Sequence, residues 1–510
     1  MKRLLIVTSA VAVTSGFLLI YTASNRLSQT VKPLTLDAVL ESIQSTKTNA
    51  GQKINDVDSI VILSLVGLGY LDMALNLYET SFRRHNISNY IFAATDNLTC
   101  SKLQQEEQSE PVRCVHAFDD ARSIVASDYA SEDFERKCFL KLTLALRALR
   151  RNLTVLIVDL DVVFLRNPLP VIVVTCPECD IVAQLDKEST LSAGFYLARP
   201  TPNVLDVFDE ALRILRKEPI SDVVNEQNLL NRVIKASVAR KALRLRYLSA
   251  KQFPVGRVFF DEGEVMYDGD SLFGDGTAVV VHNSWIVSKA AKIYRFKETG
   301  MWDVDTDRYY SNASAKYLSY DNPFVFGGED VTLEREIEAL QTALIIATLL
   351  DRIVILPTFH CRTNSDADRR CSMIAFFRMS TFDDNIGTRA YRQHQFLEHR
   401  KVPAAVRSSR SGLVAIASSN NATRTRLGLA SYVDRTFVPK RPHLGPTVDE
   451  IAAWFGDGSE LSRFAVLRFY SLYNEILPGS SLLSKLGRKY KSILERSLDA
   501  LVRWNNVVSL

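Results

Sequence analysis

The sequence predicts an α/β protein with a mixed, mostly parallel sheet flanked by helices, followed by a second α/β domain. Strands such as "SIVILSLVG" (59–67) are continuous β-branched runs, which are typical of strands covered on both faces. These runs alternate with amphipathic helices, and strand–helix–strand order favours parallel pairing in a doubly wound sheet. The 510 residues exceed one ordinary core, so we expect more than one domain.

The composition limits the classes of protein that fit. Hydrophobic residues make up 47% and charged residues 24% of the chain, as in ordinary globular proteins. The formal net charge of +4 is small for this length, and the basic residues are scattered. A dedicated nucleic-acid binder is therefore excluded, because it needs a concentrated basic face.

The first domain is predicted element by element. A helix is expected from about Leu71, a second strand at 89–96, and a third strand at 154–158. Between the last two, Ser131 is a predicted N-cap for a long helix. Its apolar stripe consists of Phe134, Cys138, Leu142, Ala145 and Leu149.

The second domain follows a stretch rich in turn-forming residues at 310–330. Thr332 is predicted to cap an amphipathic helix, and "RIVILP" (352–357) to form a strand closed by proline. The predicted organisation is a cytoplasmic tail at 1–3, a transmembrane anchor at 4–21, a stem at 22–55, the first domain at 56–308, a linker at 309–330 and a C-terminal α/β domain at 331–510.

The N-terminus suggests a membrane anchor. Lys2 and Arg3 precede an uncharged apolar run at 4–21, close to the minimum length for spanning a bilayer. Basic residues on this side favour a cytoplasmic N-terminus and a luminal remainder. A cleaved signal peptide is the competing interpretation, with "TAS" at 22–24 as the cleavage site. Sequons support luminal exposure, and they begin at Asn86, Asn97, Asn152, Asn312 and Asn421.

The cysteines agree with an oxidising compartment. The pairs Cys100/Cys114 and Cys361/Cys371 have spacings suited to disulfides that close short loops. "CPEC" (176–179) has no second pair and no nearby histidine, so we expect a disulfide or two free thiols there, not zinc. Cys138 is expected in the core.

Two aspartates end a buried strand in "VLIVDLDVVFLRNP" (155–168). In an extended segment Asp159 and Asp161 point the same way and can converge on one cation. Carboxylate oxygens suit Mn²⁺ or Mg²⁺ and leave coordination positions open for a phosphate-bearing substrate. The alternative is a cap or turn, because aspartate is common at strand ends.

This stretch resembles the nucleotide-diphospho-sugar transferase family (glycosyltransferase family 77), in which an aliphatic strand leads into D-x-D and R-N-P. Similar segments follow in the same order over about 58–305. They are "GYLDMALNLYET" (69–80), "AATD" (93–96), a lysine-bearing helix with Lys141, "SAGFYLARPT" (192–201), "NEQNLLNRVI" (225–234) and "VVVHNSWIVSKAAKIYRFKETGMW" (279–302).

The resemblance implies a GT-A-like (Rossmann-like) fold and an Mn²⁺-dependent glycosyltransferase. It would use a nucleotide-sugar donor, expected to be a UDP-sugar, and a glycan or glycoprotein acceptor, with retention of configuration. It also implies a Golgi membrane location with single-pass type II topology.

The resemblance also implies roles for individual residues. Asp159, Asp161 and His282 would hold the metal; a core histidine is the alternative for His282. Catalytic or sugar contacts would come from Asp161, Glu226 and Gln227. Donor contacts would come from Gly69, Tyr70, Asp96, Lys141, Gly194, Asn283, Lys289 and Lys292. The lysines would hold phosphate and the segment bearing Lys292 would close over it, unless they are solvated helix lysines.

The sequence departs from the family pattern near the sugar. Ser192, Ser284 and Ser288 stand where Asn, Asn and Gly are usual, and Glu226 replaces an aspartate. These departures leave a lectin-like or chaperone protein on the same fold as an alternative. A fucosyltransferase-like donor site at 351–357 is a third interpretation, and we rank it last because no basic diphosphate cradle accompanies it.

Overall fold

The protein is described from a computed structural model. The structure describes residues 35–50, 57, 60–96, 98–105, 112–118, 126–127, 131–218, 225–262, 277–323, 325–326, 329–360, 370–387, 389–416, 433–441, 445–473 and 481–498. The predicted anchor at 4–21 lies outside these residues. Among the helices that the structure describes, none combines the length and apolar character needed to cross a membrane.

The helices and strands alternate along the chain. The helices are α1 Leu36–Ala50, α2 Leu71–Leu77, α3 Thr99–Gln105, α4 Glu132–Leu149, α5 Leu169–Thr175, α6 Pro202–Leu215, α7 Glu226–Ala239, α8 Lys289–Glu298, α9 Leu333–Leu349, α10 Met379–Ile386, α11 Ala404–Ser408, α12 Val448–Phe455 and α13 Ser481–Ser497. The strands are β1 Ile60–Val66, β2 Tyr90–Ala94, β3 Cys114–His116, β4 Thr154–Val158, β5 Val162–Phe164, β6 Ile181–Lys187, β7 Thr190–Ala198, β8 Leu245–Tyr247, β9 Val280–His282, β10 Tyr317–Tyr320, β11 Val325–Phe326, β12 Glu329–Asp330, β13 Ile353–Ile355, β14 Phe359–His360, β15 Arg370–Cys371, β16 Tyr391–Arg392, β17 Arg410–Ile416, β18 Arg435–Phe437 and β19 Val466–Phe469.

The first sheet has the order β3-β2-β1-β4-β7-β6-β8 in the described residues. The pairs from β3 to β4 are parallel, as is β6 with β8, whereas β7 runs antiparallel to β4 and β6. The predicted mixed, mostly parallel α/β fold is confirmed. Strands β1, β2 and β4 are buried almost throughout, as expected for strands covered on both faces.

Helix α4 forms as its sequence predicts. The Ser131 hydroxyl accepts a hydrogen bond from the Phe134 N–H, and Glu132, Asp133 and Glu135 lie in the first turn, where acidic residues favour the helix dipole. Of the predicted stripe, Leu142, Ala145 and Leu149 are buried in the core beneath the sheet, while Phe134 and Cys138 are only partly buried. The stripe directs α4 onto strands β1 and β4.

The segment predicted as a stem contains helix α1, which packs on the first domain. Leu36 and Leu40 are fully buried in the same cluster as the α4 leucines. Asp37 accepts hydrogen bonds from Arg147 on α4 and forms a second ion pair with Arg151. The first part of α1, residues 36–40, is therefore packed on the folded domain and is not an extended stem.

The second sheet has the order β16-β13-β10-β19-β17-β18, and all its pairs are parallel. The predicted helix α9 is present, with the Thr332 hydroxyl accepting from the Arg335 N–H. The predicted strand after it is β13. Strand β10 is central in this sheet and lies inside 309–330, the segment predicted as a linker. Its residues Tyr317 and Leu318 are fully buried, so this part of the segment belongs to the second domain.

The two sheets share a continuous core at their junction. Tyr310, just after the first domain, stacks on Phe396 and on His399 from the second, with ring centroids 5.7 and 3.7 Å apart. Asp303 pairs with Arg400, and the Arg392 Nε donates to the Tyr309 carbonyl. Phe396 belongs to the same buried cluster as strands β1 and β4. The second domain is therefore packed against the first.

Two predicted cysteine pairings are present. Cys100 and Cys114 form a disulfide, and Cys176 and Cys179 form another, which removes the free-thiol alternative for "CPEC". Cys361, of the remaining predicted pair, lies outside the described residues. Cys138 is a free cysteine that is partly buried on α4.

Candidate functional site

Asp159, Asp161 and His282 converge beyond the carboxyl end of β4. One oxygen from each carboxylate and one ring nitrogen lie within 4.8 Å of one another. We call these three residues the carboxylate site. Asp159 directly follows β4 and its N–H donates to the Gly194 carbonyl, whereas Asp161 lies in the turn that leads to β5, so the two aspartates do not share one extended segment as we predicted. The antiparallel pair β5–β9 brings His282 to them, because it aligns His282 with Val162.

Asp159 is held by a buried lysine. The Lys141 Nζ lies 2.8 Å from Asp159 Oδ1 and 2.9 Å from Glu226 Oε2, so one ammonium group links two carboxylates. Burial lowers the pKa of Lys141, but Asp159 and Glu226 outweigh it and hold that pKa well above its usual value. Burial, with Asp159 nearby, raises the pKa of Glu226 to about 8. Lys141 was predicted to hold phosphate, and in this structure its partners are carboxylates.

Asp161 is buried between two nitrogen groups. Its Oδ2 accepts from the Lys292 Nζ at 2.5 Å, and its Oδ1 lies 3.3 Å from His282 Nε2. Burial alone would raise the pKa of Asp161, but the Lys292 ammonium group holds it well below its usual range. The carboxylate is therefore ionised at neutral pH. Lys292 already reaches the carboxylate site from α8, the helix that we predicted to close over it.

The hydrogen-bond network determines the tautomer of His282. The Gln184 Nε2 donates to the carbonyls of Phe253 and Pro254, both at 3.0 Å, so Gln184 Oε1 must face the His282 Nδ1 at 2.8 Å. An amide oxygen only accepts, so Nδ1 carries the proton. In the neutral ring, Nε2 then carries a lone pair that points toward Asp161. The histidine is a hydrogen-bonded site residue and not simply a core residue.

This arrangement fits a divalent cation. A lone pair on His282 Nε2 that faces a carboxylate oxygen across 3.3 Å is repulsive unless a proton or a metal ion lies between them. Two carboxylates and one imidazole match the ligand preferences of Mn²⁺. Gln184 lies behind the histidine and accepts its Nδ1 proton, which is the kind of hydrogen bond that orients metal-binding imidazoles.

Gly194 is required by the close packing of the site. A Cβ atom at this position would lie 2.4 Å from Asp159 Oδ2 and 2.7 Å from His282 Cε1. Both distances are shorter than van der Waals contact allows. Gly194 therefore has a steric role, since only a residue without a side chain lets β7 approach Asp159 and His282.

Gln227 and Asp186 form a network next to the carboxylate site. The Gln227 Nε2 donates to Asp186, and its Oε1 accepts from the Ala193 N–H beside Gly194. The indole N–H of Trp285 donates to the other oxygen of Asp186. Asp186 and Gln184 were not predicted as site residues. Both are polar residues in the strand "IVAQLDK", whose first four residues are buried, and this pattern could have indicated them.

The loop before α8 has two residues in the left-handed region. Trp285 has φ 60°, and Ser288 has φ 82° and ψ 145°, a conformation that glycine adopts most readily. Ser288 is the position where the resembled family usually has Gly. Its hydroxyl accepts from the Ala291 N–H and so caps α8. Backbone strain of this kind is often found next to functional sites.

Lys289 ties α8 to the loop that follows β1. Its Nζ donates to the Gly69 carbonyl at 2.7 Å and pairs with Asp72 at 2.8 Å. It also lies 5.9 Å from the ring centroid of Tyr70. Gly69, Tyr70 and Lys289 were all predicted to contact the donor, and the structure brings them together. These contacts join groups of the protein to one another, and the predicted donor contacts of the three residues stay predictions.

Asp96 and Asn283 make contacts within the protein. Asp96 accepts from the backbone N–H groups of Leu68, Leu98 and Thr99, so it caps α3 and fixes the β1 loop. Asp96 therefore acts as a capping residue in this loop, and its predicted donor contact stays a prediction. The Asn283 side-chain amide donates to the Lys292 carbonyl. It therefore anchors α8 from the strand that carries His282.

Comparison with known proteins identifies relatives of the first domain. Residues 85–296 match the model of the family described as nucleotide-diphospho-sugar transferase. The beta-arabinofuranosyltransferase RAY1 of Arabidopsis thaliana is 23% identical over 301 residues, which cover 54% of this chain and 52% of the relative. The UDP-galactose:fucoside alpha-3-galactosyltransferase of Dictyostelium discoideum is 23% identical over 305 residues, covering 51% and 45%. The chain spans about half the length of the curated relatives it matches.

Two solved glycosyltransferase structures show a weak likeness to this chain. The galactosyltransferase LgtC, in complex with donor and acceptor sugar analogs, is 11% identical, with a TM-score of 0.30, and the match covers 45% of this chain and 87% of that chain. Mouse xyloside xylosyltransferase 1 is 8% identical, with a TM-score of 0.29, and the match covers 44% and 98%.

Proposed function

Because residues 85–296 form a domain of the nucleotide-diphospho-sugar transferase family, we propose that the protein is a glycosyltransferase with a GT-A-like fold. It transfers a sugar from a nucleotide-diphosphate donor, a UDP-sugar in our proposal, to a glycan or glycoprotein acceptor. One observation carries this proposal. Asp159, Asp161 and the lone pair of His282 Nε2 converge within 4.8 Å in that domain.

Asp159, Asp161 and His282 would hold Mn²⁺, which would offset the negative charge that develops on the departing diphosphate. Lys141 and Lys292 already lie against these carboxylates, 2.8 Å from Asp159 and 2.5 Å from Asp161. When a diphosphate is bound, the same ammonium groups are near enough to contribute charged hydrogen bonds to it. Gln227, fixed between Asp186 and the Ala193 N–H, would contact the donor sugar together with Glu226. Retention of configuration belongs to the proposal through the family alone.

The proposal includes a luminal location in the Golgi, with the membrane as a partner through an N-terminal anchor. The disulfides Cys100–Cys114 and Cys176–Cys179 support an oxidising compartment. Carbonate extraction of the expressed protein tests the anchor at 4–21. A protein that is extracted and begins near Asn25 would mean that the segment is a cleaved signal peptide instead.

The activity is tested with Asp161→Asn in the full chain. We expect Mn²⁺-dependent hydrolysis across a UDP-sugar panel in the wild type, and loss of both hydrolysis and Mn²⁺-strengthened UDP binding in the variant. Asp457→Asn is the matched control, because Asp457 is fully exposed and pairs with Lys316 at 3.7 Å, outside the carboxylate site. Since Asp161 is paired with Lys292 and His282, its replacement should lower stability, and thermal unfolding must show that the variant is folded. Unchanged hydrolysis in folded Asp161→Asn would refute the metal role.

A further inference from the structure

A cavity of about 640 Å³ lies between α8 and the second domain. The first domain contributes Ile293, Tyr294 and Lys297 from α8, and the second domain contributes Tyr391 and Arg392 from β16. The volume falls within the range of about 300–1,000 Å³ typical of small-ligand sites. Neither the proposed transfer reaction nor the family motif gives this cavity a role.

The cavity is separate from the carboxylate site. On a helix of 3.6 residues per turn, Ala290, Ile293, Tyr294 and Lys297 share one face, and Lys292 lies on the opposite one. Lys292 contacts Asp161, whereas the first four residues line the cavity. Helix α8 therefore has the carboxylate site on one side and the cavity on the other.

The lining of the cavity carries more basic than acidic side chains. The basic residues are Lys297, Arg308, Arg389 and Arg392, and the acidic ones are Asp72, Asp307 and Asp383. Lys297 Nζ lies 3.5 Å from the ring centroid of Tyr309, and the Arg392 guanidinium lies 4.1 Å from the same centroid. Among the described residues, no carboxylate forms an ion pair with Lys297. Burial, with Arg392 nearby, lowers the pKa of Lys297 to about 7 despite the opposing charges of Asp383 and Asp72, so an anion beside this group would favour its charged form.

The acidic groups lining the cavity already have partners. Asp307 pairs with Arg389 at 3.3 Å, and Asp72 pairs with Lys289 at 2.8 Å. Asp383 accepts a short hydrogen bond from the Tyr391 hydroxyl. Lys297 and Arg308 are thus basic groups of the lining without a carboxylate partner among the described residues, and Lys297 is the more buried of the two.

We infer that this cavity binds an anionic sugar, with the carboxylate or phosphate of the sugar on Lys297 and the ring against the aromatic side chains. Tyr391 and Trp302 also line the cavity and offer apolar surface of the kind on which sugar rings pack. The paired carboxylates and arginines around them offer hydrogen bonds to hydroxyls. The inference goes beyond the proposed function and does not require transfer activity.

The test is calorimetric titration of the full chain with glucuronate, glucose 6-phosphate, glucose and inorganic phosphate. Asn312 lines the cavity and belongs to a sequon, so deglycosylated protein is used. We expect one or both anionic sugars to bind at least ten-fold more tightly than glucose or inorganic phosphate. Which of the two binds more tightly distinguishes a carboxylate from a phosphate ligand.

Two variants and one control complete the test. Lys297→Met should weaken binding of the anionic sugar at least ten-fold, and Lys316→Met, the same change at a partly exposed lysine paired with Asp457, should not. Arg389→Gln is the second cavity variant, and since Arg389 is 87% exposed its replacement should leave the fold intact. We expect it to weaken binding about three-fold.

Several results would overturn the inference. They are absence of binding by either anionic sugar, wild-type affinity in both cavity variants, and inorganic phosphate binding as tightly as the sugars. UDP titration with Mn²⁺ on the same samples reports on the carboxylate site separately. Loss of one binding activity without the other then shows which proposal has failed.

Discussion

At the scale of single residues, Gln184 decides whether His282 can act as a neutral ligand. Its amide is fixed by the carbonyls of Phe253 and Pro254, and its oxygen holds the proton of His282 on Nδ1. We predict that Gln184→Met weakens Mn²⁺ affinity by about 10–100-fold, as for other residues that orient metal-binding histidines. Mn²⁺ titration against UDP binding measures this.

Gln341→Met is the matched control for this prediction. Gln341 is also buried, and it donates to the Gly487 carbonyl in the second domain. Both substitutions should lower the free energy of unfolding by about 1–3 kcal/mol, because each removes side-chain hydrogen bonds from the protein interior. Only Gln184→Met should change Mn²⁺ affinity. Equal Mn²⁺ affinity in the two variants would contradict the role of Gln184.

Gly194 gives a second prediction at this scale. In Gly194→Ala the new methyl group would overlap Asp159 and His282, at 2.4 and 2.7 Å, so we expect loss of Mn²⁺-dependent UDP binding. Stability should fall by about 1–3 kcal/mol, as in overpacked cores.

Gly487→Ala is the control, since its new Cβ would meet Gln341 at 3.7 Å, an ordinary contact. That change lies within α13 and should stabilise by about 0.5–1 kcal/mol. Chemical denaturation measures both, and wild-type UDP binding in Gly194→Ala would show that the site tolerates the methyl group.

At the scale of elements, the entry to α8 combines strain with a cap. Ser288 holds φ 82° while its hydroxyl accepts from the Ala291 N–H. We predict that Ser288→Gly stabilises the protein, because strain of about 1–3 kcal/mol is relieved and Ser→Gly at an N-cap loses only a few tenths of a kcal/mol. Ser288→Ala keeps the strain and loses the cap, so it should destabilise by about 1 kcal/mol. We expect the urea midpoint of Ser288→Gly to lie above that of the wild type and the midpoint of Ser288→Ala to lie below it. A lower midpoint for Ser288→Gly would contradict the prediction.

The elements themselves were largely predictable, and the site only in part. Strands β1, β2 and β4 and helices α4 and α9 follow from apolar periodicity and capping residues that act locally. The convergence of Asp159 and Asp161 was predicted from an extended segment, but the chain turns at Leu160 and Asp161. Gln184 could not be assigned, because its role depends on a histidine 98 positions away. Only the tertiary fold brings such pairs together.

At the scale of the whole molecule, the predicted boundaries were the weakest part of the sequence reading. Polar composition predicted a stem at 22–55 and a linker at 309–330, yet α1 packs on α4 and β10 lies at the centre of the second sheet. Short elements flanked by polar residues carry little local signal, and their burial comes from distant partners. Tyr310, for example, is buried by Phe396 and His399 from much later in the chain.

This shared core predicts that the two domains unfold together. Phe396 is fully buried, belongs to the cluster that contains β1 and β4, and contacts Tyr310 and Tyr317. We expect one cooperative urea transition, and in Phe396→Leu an equal loss of about 1–2 kcal/mol reported from both sheets, because a smaller side chain leaves a cavity at the junction. Hydrogen exchange at β1 and at β19 in increasing urea measures the two sheets separately.

Phe382→Leu serves as the comparison, since Phe382 lies in the core of the second domain. If Phe382→Leu lowers protection only at β19, the domains unfold independently and the junction does not couple them.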